Sequence, residues 1–270
     1  MSLRTTALIA VAAAMLLAAS IRPPLAADAD DPWPGIARDA FNGRTLVDGT
    51  GLIALDMPER AEDAAIVPVT MRMTLPHGDP RTLKAFTLVI DGNPSPVAAP
   101  FTVGSGVTMI STRVRVNSYT DVHAVAELSD GKLYVVKTYV KASGGCSAPM
   151  AKDDEQAKAN IGAMRFRLFP PPGDGPNTGS RQAQIMIRHP NNSGLQRDQV
   201  SLLYIPLFIV RKLSIWQGDQ LVLQMDGGIS ISQDPNIRFS YMPNGAADFR
   251  AEAIDTNGGD FKGSWPAAAM

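Results

Sequence analysis

A chain of 270 residues exceeds one average domain, and at roughly 150 residues per domain its length points to two, each able to bury a core. With 45% hydrophobic and 19% charged residues, the composition excludes a disordered body. The 25 Lys plus Arg against 26 Asp plus Glu leave a formal charge of -1, which sets aside nucleic acid and anionic membrane as partners.

The first element is a targeting segment. Arg4 precedes an apolar run over 7–20 that is too short for an ordinary membrane span and stops at Arg22-Pro23-Pro24. Leu25-Ala26-Ala27 before Asp28 supplies small residues for signal peptidase, so 1–27 reads as a signal peptide cleaved after Ala27, with an uncleaved anchor as the alternative. No cysteine follows the run, so no lipid attachment is expected there. The mature protein is expected in a periplasm, with no membrane insertion after cleavage.

Residues 33–41 predict a short helix, and 68–75, 85–91 and 109–116 predict strands. A hairpin is expected where 122–128 and 133–141 flank Ser129-Asp130-Gly131-Lys132, with Asp-Gly supplying the positive φ angles of a tight primed turn. The second strand runs into Ala142-Ser143-Gly144-Gly145-Cys146-Ser147-Ala148-Pro149, where small residues replace apolar ones. Residues 147–163, with Asp153-Asp154-Glu155 as a solvated face, read as a helical linker. Strands return at 164–168, 184–189, 207–216, 221–226, 237–241, 248–255 and 261–265, interrupted by a Pro/Gly-rich loop over 170–179. This spacing predicts an all-β fold of two immunoglobulin-like sandwiches, 28–146 and 164–270.

Enzyme constellations are absent: there is no HExxH, CxxC, GxSxG or phosphate-binding glycine loop, and His77, His123 and His189 have no ligand spacing. No metal and no cofactor is expected, although an enzyme with dispersed site residues would escape such a scan. Trp216 and Phe239 read as core. His189, before Pro190-Asn191-Asn192-Ser193-Gly194, reads as a strand-end residue, and Asp198 as part of a loop entering a buried strand.

Cys146 is the exception. An oxidising compartment favours paired thiols and this chain has one, so Cys146 is free, buried, or paired with another molecule. Gly144, Gly145 and Ser147 around it suggest a flexible arm, and five extended residues past Lys141 would carry the sulfur about 17 Å from the sandwich edge. A thiolate can hold a cargo reversibly as a persulfide or mixed disulfide, and Lys137 and Lys141 would favour the anion if they fold near it. A buried apolar cysteine and an intermolecular disulfide are the competing readings.

These residues resemble the sulfur carriers of the Sox thiosulfate-oxidation system, with SoxY-like and SoxZ-like parts fused. The SoxY-like features are Ile53-Ala54-Leu55-Asp56-Met57-Pro58, Val67-Pro68-Val69, Asp91-Gly92-Asn93-Pro94, Thr112-Arg113-Val114 and the stretch from Ser129 to Cys146. The SoxZ-like ones are His189-Pro190 with Ser193-Gly194, Asp198, Ile205-Pro206, Phe208-Ile209, and Ser230 to Pro235 with Phe239. Two features depart from the family: the arm reads GGCSAP and continues, where SoxY ends in GGCGG, and HPNNSG stands where SoxZ is closer to HPMETG.

The resemblance implies a non-catalytic carrier whose Cys146 covalently binds a sulfur intermediate on a swinging arm, with His189 and Asp198 as candidate partner contacts. The partners would be Sox-type enzymes or, since fused forms resemble carriers associated with quinoprotein alcohol dehydrogenases, such a dehydrogenase. A non-covalent docking module for that dehydrogenase is the alternative, and an unrecognised hydrolase a third.

Overall fold

The computed structural model describes residues 31–76, 78–149, 160–170 and 179–267. The expected signal peptide, His77, most of the expected linker and the centre of the Pro/Gly-rich loop lie outside them.

After a short helix, α1 (Trp33–Ala40), the first half contributes β1 (Leu46–Asp48), β2 (Ile53–Asp56), β3 (Val67–Met73), β4 (Leu83–Ile90), β5 (Val97–Val103), β6 (Met109–Val114), β7 (Thr120–Leu128) and β8 (Leu133–Val140). The second half contributes β9 (Met164–Phe169), β10 (Arg181–Ile187), β11 (Val210–Gln217), β12 (Gln220–Asp226), β13 (Asn236–Tyr241), β14 (Asp248–Asp255) and β15 (Asp260–Pro266). Period-two patterning explains most of these: in β3, Val67, Val69 and Met71 are buried while Pro68 and Arg72 face out.

The strands form two sheets, β1-β8-β7-β4-β5-β12-β11-β14-β15 and β2-β3-β6-β13-β10-β9. Each half is an all-β, immunoglobulin-like unit with strands in both sheets. The halves are also welded: β5 pairs β12 (Phe101↔Met225, Val103↔Leu223) and β6 pairs β13 (Ile110↔Phe239), so both sheets run through the junction. One apolar core follows, with Phe86, Phe101 and Ile110 joined to Phe239, Ile215 and Phe249. The separate modules expected from the sequence thus share their edges, which removes two exposed strand edges per half as aggregation templates.

Two local expectations change. The β7–β8 loop has positive φ only at Gly131, 76°, with the Gly131 amide donating to Leu128 O (3.0 Å); this is a common turn closed by a left-handed glycine, not a primed turn. β5 forms where the sequence analysis names no strand; β12 pairs with residues 101–103 and its ladder stops short of Pro100, which has no amide hydrogen to donate.

Candidate functional site

The chain leaves β8 tied to a neighbouring segment: the Lys141 amide donates to Glu59 O (2.8 Å) and the Ala61 amide to Lys141 O (3.1 Å). Ala142 is buried, and the chain then turns tightly. Gly144 sits at φ 80°, where a side chain is strained. Its amide donates to Asn117 O (2.9 Å), and that of Gly145 to Val116 O (2.9 Å). Gly145 is needed for a different reason, since a Cβ there would lie 2.0 Å from the Ala64 carbonyl oxygen. The expected arm is therefore docked in this structure, and Cys146 is a free thiol with no exposed surface. Glycine here permits close backbone approach as much as freedom.

The second half closes over the turn. Ser193 Oγ donates to Cys146 O, and Gln196 Nε2 donates to Ala148 O (3.0 Å). Gln196 Oε1 accepts the Ser193 amide (3.0 Å), which fixes both donors as one unit. From beneath, Arg115 Nη1 donates to Gly145 O (3.2 Å) and Nη2 to Asn191 O (3.4 Å). Asn93 braces Arg115: its Nδ2 donates to Arg115 O (2.8 Å) and to Ser230 Oγ (2.8 Å), while its Oδ1 accepts the Asn117 amide (2.8 Å). Residues from both halves thus converge on one turn.

Burial pushes the Cys146 thiol up to about 11, against the opposing pull of the Arg115 guanidinium. Docked, the sulfur is a thiol that neither ionises at neutral pH nor meets solvent, and it is protected from oxidation and exchange. The expected help from lysines is not found: Lys137 Nζ bonds Asp121 Oδ2 (2.7 Å) and Lys141 Nζ bonds Glu59. Arginine from β6's end takes that place.

Residues 37–146 match the family model of sulfur oxidation protein SoxY, ending on Cys146, and residues 174–266 match that of sulphur oxidation protein SoxZ. The chain belongs to the SoxYZ-like sulfur carriers, with both parts fused. No curated protein matches it. Among solved structures, the sulfur carrier protein SoxY from Chlorobium limicola f thiosulfatophilum is 25% identical, covering 41% of this chain and 91% of that one at a TM-score of 0.34. A superoxide reductase (neelaredoxin) from Ignicoccus hospitalis is 11% identical, covering 33% of this chain and 78% of that one at a TM-score of 0.29.

In the SoxZ-like half, the two expected partner contacts have different settings. The His189 side chain is fully enclosed, its Nδ1 accepting the Asn191 amide (3.1 Å) and its Nε2 lying 3.7 Å from Asp255 Oδ2. Burial lowers its pKa, and its ring packs on Phe208 at 4.4 Å, so it shapes the loop over the cysteine and offers no surface of its own. Asp198 accepts the amides of Val200 (3.1 Å) and Ser201 (2.7 Å), shaping the loop that follows Gln196. That loop carries exposed Val200, Leu202, Leu203 and Tyr204. Of the residues that hold the turn, Asn93 and Ser193 stand in the family-like motifs without a site role being read from them, and Arg115 and Gln196 escaped the sequence reading. An arginine between Val114 and Val116, both fully buried, was the one available signal.

Proposed function

We propose that this Sox-type carrier works in the periplasm by covalent attachment of a sulfur-containing group to Cys146, with the docked turn as its resting state and an opened turn as the state that partner enzymes load and unload. The observation that carries this reading is the setting of Cys146: the SoxY match ends on it, and it sits in a glycine turn held by backbone hydrogen bonds with little apolar anchoring. Both Sox-type enzymes and a quinoprotein dehydrogenase suit such a carrier as partners.

The energetics support an opening turn. Five hydrogen bonds hold it, through Gly144 N, Gly145 N, Gly145 O, Cys146 O and Ala148 O. At about 1 kcal/mol each they contribute about 5 kcal/mol, and burying the two small side chains of Ala142 and Cys146 about 2 more. Ordering the backbone from Ala142 to Ala148 costs about 1 kcal/mol per residue, about 7 in all. These sums lie within a few kcal/mol of each other, so docking is poised and not locked. Because the chain continues beyond Cys146 toward β9, opening lifts a loop tethered at both ends and not a free tail.

The test is genetic. Replacing Cys146 with Ser in the native host should abolish the sulfur-dependent or dehydrogenase-dependent growth the carrier supports, with the protein still exported and folded; full function of that variant removes the covalent reading. The exposed apolar loop at Val200 to Tyr204 favours a second reading, a non-covalent docking module, which predicts partner co-purification unaffected by Cys146→Ala.

A further inference from the structure

Arg115 carries a charge that the docked protein leaves without an ionic partner. Its residue is 2% exposed, and Nε is buried with no acceptor. Among the described residues two of its five donors are used, both on neutral carbonyls, and the bond to Asn191 O is long at 3.4 Å. Among the described residues no carboxylate makes an ion pair with it. Asp63 is a weak favourable charge, and it is exposed and caps the Ala65 amide. A buried, unpaired guanidinium is strongly destabilising, and an orphaned donor on it calls for a reason. Holding carbonyls is not that reason, since neutral Asn93 and Asn191 do the same work beside it.

The donor's position supplies one. Arg115 bonds the carbonyl immediately before Cys146, so its unused donors lie beside the residue that bears the cargo. We propose that Arg115 is the counter-charge for an anionic sulfur adduct on Cys146, such as the terminal sulfur of a persulfide or the sulfonate end of an S-thiosulfonate, so that the turn docks with negatively charged cargo and stays open with neutral cargo. The proposal rests on the carrier reading above. The guanidinium suits the task because its planar fork stays protonated when buried and matches oxyanions with paired donors.

Two reagents load the thiolate with opposite outcomes. Tetrathionate is attacked by Sγ, releasing thiosulfate and leaving the anionic Sγ–S–SO3 group; methyl methanethiosulfonate is attacked by Sγ, releasing methanesulfinate and leaving neutral Sγ–S–CH3. Hydrogen exchange followed by mass spectrometry on the full chain then reads the Gly144 and Gly145 amides after each loading. The expected result is amide exchange at least tenfold slower in the anionic adduct than in the neutral one, despite its greater bulk. In Arg115→Gln the difference disappears, and Arg115→Lys keeps part of it. Equal exchange in the two wild-type adducts, or a difference undiminished in Arg115→Gln, overturns the proposal. If Arg115→Gln fails to fold, the wild-type comparison alone decides. Because loading is chemical, an absence of cargo on Cys146 in the native host would sink the carrier reading without touching this result.

Discussion

Two of the places where the halves of this molecule meet are built by opposite means. At the weld, Phe101, Ile110 and Phe239 are fully buried and the backbones pair strand to strand across both sheets. At the cysteine turn, the side chains are Ala, Gly, Cys and Ser, and the contact is made almost entirely by hydrogen bonds from Arg115, Ser193 and Gln196 to carbonyls. Apolar burial is additive and hard to reverse, whereas hydrogen bonds exchanged with water release a segment at little net cost. The weld is thus held by a shared apolar core, and the cysteine turn by polar contacts that the proposed carrier cycle would have to break.

Breaking the weld should have the largest effect. Phe239→Ala is expected to destabilise the whole chain by about 3–5 kcal/mol, seen as a lower urea midpoint with a cooperative transition. Independent unfolding of the two halves in wild type would contradict a shared core.

Alkali should loosen the turn alone. The docked thiol titrates near 11 against an ordinary 9.0, so the docked form binds the proton more tightly. Docking is then constant below pH 9, falls as pH rises toward 11, and levels off beyond it. The loss over that window is about a hundredfold, or about 3 kcal/mol. Thiolate absorbance followed against pH, with far-ultraviolet dichroism unchanged, checks both the sign and the confinement.

A smaller and more specific perturbation is Gly145→Ala, whose Cβ must push against the Ala64 carbonyl. Overpacking of this kind costs about 1–3 kcal/mol and should speed alkylation of Cys146 by tenfold or more, with little change in global stability. Ser193→Ala removes one hydrogen bond to Cys146 O, worth about 1 kcal/mol, and should raise the alkylation rate about fivefold. An unchanged rate in both variants would show that the turn opens by a route that ignores these contacts.

Much of the architecture could be read from the chain because period-two patterning is local: β14 was expected over the residues it occupies, and the β7–β8 hairpin within a few. The weld was not legible, since pairing of β5 with β12 is made by backbone groups more than a hundred residues apart and leaves no side-chain signature. Cys146 stood out by its solitude and its neighbours. Its burial did not, because a Gly-Gly pair reads equally as freedom or as room for another backbone, and only the approach of Ala64 to Gly145 decides which. Arg115 was hidden for a related reason: an arginine near a strand end ordinarily faces solvent, and what encloses it comes from Asn191 in the other half.

Whether Cys146 bears cargo in the cell is the decisive question. Protein isolated from its native periplasm without reductant, digested and mapped by mass spectrometry, gives the direct answer. For a covalent carrier, a fraction of the Cys146 peptide is expected to be heavier by one or more sulfur atoms or by a sulfonate, with the increment removed by reductant. A peptide recovered only as free thiol, under conditions where the carrier is needed for growth, would contradict it.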